Sequence, residues 1–348
     1  MNSPPHFISY EKIAESTSQW NLSPSDYRAF NKTDWVVTEK IHGANFCIFT
    51  DGEILRFAKR KQFLEPGEDF FGFKSFETQL VTQVRELFQI LQSSFNHPLR
   101  VSIYGELFGG EYPHPDVPPI PNIQAVQTGV YYSPNIQFCA FDIAAIANNN
   151  PASRTYLDYN QTLQLCNQVG IFCASPLFIG KYDAAITYNR EFESTIPALL
   201  GLPKLPFTNK AEGIVIKPVK SIPIATPKGK IRPILKIKIP SFSETRFHQA
   251  QKSNQHSSYV SSTEEWLTQA LLAMVTENRL HNAISKIGRV KATDAKLKSQ
   301  LLQLFVADAL ETFQQEYGKF FQSLPPSSQQ VLLNNLQIEA EKLLEKCF

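Results

Sequence analysis

Apolar and polar positions divide this chain into a strand-rich first part and a helical last part. Trp35-Val36-Val37-Thr38 is an apolar, β-branched run of the kind a buried strand uses. Asn45–Phe49 and Ile54–Ala58 flank Asp51-Gly52, a pair that favours a hairpin turn. From Ser75 the residues Phe76, Leu80, Val84, Leu87, Phe88, Leu91 and Phe95 recur three and four apart, which predicts a helix. Val101–Leu107 and Ile136–Ile143 read as strands, and five prolines between 113 and 121 predict a loop. Asp158 to Val169 predicts a helix, capped by Asp158 and closed by Gly170. Ala211–Lys217 and Ile234–Ile239 are two further strands. In the second, Lys236 and Lys238 alternate with isoleucine, so both ammonium groups share one face.

After about residue 243 the composition changes. A Ser- and Gln-rich stretch, 249–262, reads as a linker. Helical periodicity follows in Trp266, Leu267, Ala270, Leu271 and Met274, in Leu297, Leu301, Leu304, Phe305 and Ala309, and from Val331 to Leu344. The expected organisation is a mixed α/β domain over 1–246, a linker over 247–262 and an all-helical domain over 263–348. Trp20, Tyr27 and Phe30 are expected to anchor the first 34 residues on the α/β domain.

At 348 residues the chain can hold two domains, and 43% apolar content with 12% aromatics supplies a sizeable core. A net charge of +2 excludes a global basic field. Locally the balance differs: residues 204–238 carry nine Lys or Arg and one acid, Glu212. The five cysteines are scattered and include no C-x-x-C pair, which argues for reduced thiols and against a zinc site or a disulfide framework. Nothing at the N-terminus has the form of a signal peptide, and no run reaches the ~20 apolar residues of a membrane span. An intracellular, soluble protein is expected, cytoplasmic before nuclear or organellar.

Unusual chemistry centres on Glu39-Lys40-Ile41-His42-Gly43-Ala44-Asn45, at the end of the first strand. Gly43 allows a tight turn and a close approach to a ligand. Downstream, Arg60, Glu106, Asp142, Glu212, Lys217, Lys236 and Lys238 all fall on strands or strand ends. Singly, each has an ordinary structural explanation; together they read as a cleft for a polyanion and a metal. A lysine amine is nucleophilic only when neutral, and its free pKa is about 10.4. Burial and the neighbouring cations Arg60, Lys236 and Lys238 would lower that value at Lys40. The same cations would stabilise charge on an α-phosphate and a departing pyrophosphate. Glu212 is a hard oxygen ligand suited to Mg²⁺, and Phe141 could stack on a base.

The segments EKIHGANF, FAKRKQFL, YGELFGG, FDI, EGIVIKP and LKIKIPSFSE occur in order across residues 35–246. They resemble the nucleotidyltransferase motifs of ATP-dependent ligases, and most closely the RNA ligase family typified by phage RNA ligase 2, with the trypanosome editing ligases. The resemblance implies an α/β (α+β) nucleotidyltransferase domain, the ATP-grasp-like ligase adenylylation fold with antiparallel sheets, followed by an all-α C-terminal domain. It implies ATP with Mg²⁺ (or Mn²⁺), and RNA as the partner whose 3′-OH and 5′-phosphate ends are joined, most of all at nicks in a duplex.

Lys40 would then form lysyl–AMP, with Glu39 and Ile41 beside the nucleotide. His42 and Asn45 would serve the phosphate-joining steps, Arg60 and Lys59 the ribose and phosphate region, and Glu106 the ribose hydroxyls. Phe141 and Val215 would sandwich the adenine. Asp142 and Glu212 would support metal and phosphate, directly or through water. Lys217, Lys236 and Lys238 complete the nucleotide set. One departure is visible, Ser241-Phe242-Ser243-Glu244 where the family often has Lys-Phe-Ser-Glu. The same lysyl chemistry serves DNA ligases and capping enzymes, but these favour Asp at the position of His42 and append a β-barrel. An inactive nucleic-acid-binding module is the reading from another class, and the intact Lys40, Glu106, Glu212, Lys236 and Lys238 speak against it. In the helical part, Lys286, Arg289, Lys291, Lys296 and Lys298 form a basic run suited to phosphate contacts.

Overall fold

A computed structural model describes residues 7–95, 97, 99–147, 153–226, 229–242 and 263–348; the expected linker at 247–262 lies outside the described residues, as do Ser243 and Glu244. Two compact units emerge, Met1–Ile239 and Pro240–Phe348. The strands of the first unit are β1 (Trp35–Glu39), β2 (Ala44–Thr50), β3 (Leu55–Lys59), β4 (Gln62–Phe63), β5 (Leu99–Glu111), β6 (Ser133–Ala147), β7 (Thr155–Tyr156), β8 (Pro176–Gly180), β9 (Gly213–Pro218), β10 (Ile224–Thr226), β11 (Gly229–Ile231) and β12 (Leu235–Lys238). Its helices are α1 (Pro24–Lys32), α2 (Glu77–Ser93), α3 (Tyr159–Val169), α4 (Tyr182–Ile186) and α5 (Ile196–Leu199).

All pairings in the two main sheets are antiparallel. One sheet has the order β12-β9-β1-β8 and the other β4-β3-β2-β5-β6-β7, while β10 and β11 form a separate ribbon. The β2–β3 hairpin closes as its turn residues predict: Asp51 Oδ1 accepts from the amides of Glu53 and Ile54, and Gly52 takes φ 96°. Gly170 ends α3 in the left-handed conformation, with Asp158 capping the start.

Strand alternation sorts the four-stranded sheet into two faces. Trp35, Val37, Ile214, Ile216 and Leu235 share a core with Trp20, Phe30, Tyr182 and Ala185, so α1 and α4 cover that face. Val36, Thr38, Val215, Lys217, Lys236 and Lys238 fall on the other. There Val215 packs in one cluster with Cys47, Ala58, Tyr104 and Ala144 of the six-stranded sheet and Tyr10 of the N-terminal segment. The far side of the six-stranded sheet is aromatic, with Phe46 against Phe57, Phe70, Phe73 and Phe138, and α2 contributes Leu80, Val84, Leu87 and Leu91.

β5 and β6 run to 13 and 15 residues, well past the apolar runs that announced them, because each supplies the other's ladder hydrogen bonds. β8, α4 and α5 are only four or five residues long, too short for a periodic pattern to announce them. Trp20 and Phe30 are buried anchors, whereas Tyr27 is 47% exposed and only edges against Phe30 and Tyr182.

The second unit is helical: α6 (Thr263–Leu272), α7 (Glu277–Ile287), α8 (Ala295–Gln322) and α9 (Pro326–Cys347). Leu267, Leu271, Phe313, Leu332 and Leu336 form one core, and Leu280, Leu301, Phe305, Ala340 and Leu344 another. Arg279 is buried but fully engaged, donating to Asp308, Thr312 Oγ1 and the Met274 carbonyl. Lys286, the first member of the basic run, also pairs with Asp308 at 2.7 Å. Among the described residues no helix is long and apolar enough to cross a membrane.

Candidate active site

Lys40 follows β1 directly, and its amide extends the ladder by donating to the Gly213 carbonyl at 2.9 Å. Gly213 is required there. It takes φ 150°, and a Cβ would lie 2.0 Å from the Ile237 carbonyl oxygen. Gly43 is held as tightly, since a Cβ would meet the Leu107 oxygen at 2.1 Å. The first approach seats the start of β9 against the end of β12, and the second seats the 39–45 turn against Glu106 and Leu107 of β5.

Glu212 is the hub. Its Oε2 accepts from Lys40 Nζ at 2.6 Å and lies 3.3 Å from His42 Nδ1, and its Oε1 lies 3.3 Å from Lys238 Nζ. The carboxylate is only 1% exposed. Burial alone would push its pKa up, but Lys40, His42 and Lys238 outweigh it and hold the group well below the usual range. At Lys40 the balance runs the other way. Burial is the largest influence and lowers the amine pKa, Lys238 and Lys236 add to it, and Glu212 opposes. Lys40 and Arg60 both act on Glu106, favouring its ionised form. Lys236 shares the face but is held by Glu15 at 2.8 Å.

Glu106 pairs across the sheet with Asn45, whose amide bonds its carboxylate. Its Oε2 is buried with no protein partner among the described residues. Burial pushes this carboxyl up to about 7. A buried, unsatisfied oxygen beside a cationic cluster is an acceptor waiting for a ligand donor. In the run Lys59-Arg60-Lys61 that ends β3, Lys59 pairs with Glu68 at 2.8 Å and Lys61 faces solvent.

Phe141 owes its position to a β-bulge. Tyr104 pairs with Asp142 and Gly105 with Ala140, so Phe141 is an extra residue and its ring joins the same cluster as Val215. Lys217 fixes the bulge, donating to the Phe141 carbonyl at 2.6 Å and to Asp142 Oδ1 at 2.7 Å. Asp142 Oδ2 accepts from Tyr10 Oη at 2.5 Å and from Arg232 at 3.1 Å. Burial opposes its ionisation, but Lys217 and Arg232 prevail and its pKa is lowered. Both oxygens of Asp142 are thus engaged by protein donors, as are both oxygens of Glu212.

Among the described residues no three His, Cys, Asp or Glu side chains converge as a metal cage. The donor set suits Mg²⁺, which is commonly bound by one or two carboxylates together with substrate phosphates. Glu212 and Glu106 are the carboxylates beside Lys40. Glu39 faces away from the cleft: its carboxylate accepts from Ser194 Oγ at 2.6 Å and from the Thr195 amide at 2.7 Å. Ile41 is buried.

Residues 33–238 match the RNA ligase family, and residues 257–342 match the family described as T4 RNA ligase 2 C-terminal. The chain belongs to the RNA ligase family. It is an RNA ligase, which removes the DNA-ligase and capping readings. Two curated relatives come from Trypanosoma brucei brucei. RNA-editing ligase 1, mitochondrial, is 29% identical over 361 residues, covering 90% of this ligase and 77% of the relative. RNA-editing ligase 2, mitochondrial, is 31% identical over 354 residues, covering 89% and 84%. A solved mutant RNA ligase of Naegleria gruberi, with ATP and Mn, has a TM-score of 0.42 at 15% identity; the match covers 68% of this ligase and 58% of that chain.

The ligase uses residues that its sequence did not single out. Tyr10, Glu11 and Glu15 have no motif around them, yet they meet Asp142, Arg232 and Lys236. Tyr132 Oη accepts from the His42 amide at 3.0 Å, and the Thr128 carbonyl lies 3.1 Å from His42 Nε2. Only Arg232 had a signal, its place in the basic 204–238 stretch.

Proposed function

We propose that this ligase joins RNA ends in three steps through Lys40, with ATP as the AMP donor. The observation that carries the reading is the convergence of Lys40, His42 and Lys238 on the buried Glu212, beside the unpartnered oxygen of Glu106. In the first step the neutral Lys40 Nζ attacks the α-phosphorus; an N–P bond forms, the nitrogen gives up a proton and the bond to pyrophosphate breaks. Burial and the adjacent lysines favour the neutral amine that this attack needs. In the second, an oxygen of the RNA 5′-phosphate takes the AMP, the N–P bond breaks and the amine regains a proton. In the third, the 3′-OH attacks the RNA phosphorus, loses its proton, and AMP leaves. When bound, Mg²⁺ (or Mn²⁺) neutralises phosphate charge, and Glu212 is the carboxylate that would hold it.

In this reading the nucleotide lies along β9. The phosphates meet Lys40, Lys236 and Lys238, the ribose meets Glu106, and the base enters between Phe141 and Val215. Arg60 and Asn45 orient Glu106, while Lys217 and Asp142 fix the bulge that carries Phe141. Nicked duplex RNA is the proposed substrate. The match to an RNA ligase 2 C-terminal region and the relatives named as editing ligases support it, as do the exposed Arg289, Lys291 and Lys296.

Labelled ATP tests the first step. Wild type should take up covalent label, Lys40→Ala should take up none, and Lys40→Arg should be equally dead because a guanidinium stays protonated. Label on the Lys40→Ala protein comparable to wild type refutes the assignment. Joining on nicked duplex RNA, RNA–DNA hybrids and free single strands then ranks the substrates.

A further inference from the structure

Two aromatic rings lie on segments that lead into the site, Tyr131 just before β6 and Phe207 in the loop before β9. Tyr131 and Phe207 meet edge to face with centroids 5.8 Å apart, and Phe207 is 44% exposed. A lone exposed phenylalanine needs no explanation. This one is braced. Asn209 accepts from the Tyr131 amide at 2.9 Å and donates to the Tyr131 carbonyl at 2.7 Å, so one buried side chain locks both aromatic segments together. The Asn209 amide in turn donates to Glu193 at 2.8 Å.

The brace is tied to the reacting groups. Tyr132, next to Tyr131, holds the His42 amide, and Phe207 lies five residues before Glu212. Along β6, Phe141 lies eight residues beyond Ser133, roughly 26 Å, whereas Tyr131 precedes the strand; Gly43 of the Lys40 turn sits against Leu107, whose partner Phe138 lies between them. The proposed adenine position, by Phe141 and Val215, is therefore at the other end of β6 from Tyr131 and the Phe207 packed on it. A base reaching them cannot be that of the bound AMP; it belongs to the RNA. Lys204 and Lys210 bracket Phe207 on the exposed loop, Lys210 lying 3.5 Å from Glu191, and offer charge for the backbone of the same strand.

We propose that Tyr131 and Phe207 form a stacking platform for a nucleobase of the RNA next to the joined ends. Every base has a π-face, so the platform positions the end without reading its sequence. The inference rests on the joining reaction proposed above and adds a substrate-binding subsite to it.

The test compares wild type, Phe207→Ala and Phe207→Trp in two single-turnover reactions, self-labelling from ATP and sealing of a pre-adenylylated RNA nick. The ratio of sealing to labelling should fall about tenfold in Phe207→Ala, within the range of base–aromatic stacking, and return to within about twofold in Phe207→Trp. Abasic residues placed singly on either side of the junction complete the experiment. One of them should slow wild type about tenfold and leave Phe207→Ala unaffected. Equal abasic penalties in the two proteins would overturn the platform, as would labelling and sealing that fall in parallel. A wild type that labels itself yet seals no RNA would overturn the joining reading and the platform together; normal wild-type sealing with indifferent variants would overturn the platform alone.

Discussion

Glu212→Gln preserves the shape of the side chain and removes the charge that three cations share. Lys40 is 2.6 Å away, and His42 and Lys238 are each 3.3 Å away, around a carboxylate 1% exposed. Withdrawing one member of a buried ion cluster leaves the rest uncompensated, at a cost of about 3–5 kcal/mol. In a unit of this size each kcal/mol moves Tm by about 2–4 °C. The transition of the strand-rich unit should therefore fall by ~6–20 °C near neutral pH. The sign of the pH dependence follows from the depressed pKa of Glu212. Its stabilisation is present above the ordinary carboxylate value of about 4 and fades as the pH falls below it, so wild type and variant should converge in acid. Lys40→Met supplies the cycle. It should destabilise wild type and be neutral or stabilising in the Glu212→Gln background, where the ammonium has lost its counter-charge. Calorimetry of the four proteins reads the coupling. A Tm for Glu212→Gln within about 2 °C of wild type, with additive effects, would refute the hub.

Lys236→Ala and Lys238→Ala should each slow self-labelling and sealing by ~10–100-fold, the loss of a charge-assisted phosphate contact. Unchanged labelling in both would show that this face of β12 does not meet phosphate. Glu106, pushed up to about 7 by burial, should accept ribose hydroxyls more strongly once ionised. ATP affinity measured by calorimetry should therefore rise as pH passes upward through about 7, and Glu106→Gln should abolish the step. A fragment of residues 1–246 should still label itself from ATP and Mg²⁺ but lose most sealing of RNA with a plain 5′-phosphate. Full-rate sealing by the folded fragment would remove the helical unit from RNA binding.

The sequence alone determined which residues carry charge at strand edges and which faces are apolar. Period-two alternation places Lys236 with Lys238 and sends Trp35 and Val37 the other way, because neighbouring Cβ atoms on a strand point to opposite sides. The same rule turns the Glu39 carboxylate away from Lys40. The six ordered segments from Glu39 to Glu244 carried the family. Tertiary structure decided the rest. Phe141 and Asp142 are neighbours that act at one site only because a bulge interrupts β6, and a bulge is a property of two paired strands. The resemblance gives Asp142 a place beside metal and phosphate, directly or through water, but not the partners it meets, Tyr10, Lys217 and Arg232, which come from distant points in the chain. Tyr10 and Glu15 look like filler until the Ala14 amide and carbonyl pair with the backbone of Ile234 and Lys236. Composition and spacing report local preference, whereas a buried charge takes its role from partners tens to hundreds of residues away, which only the folded chain brings within hydrogen-bonding distance.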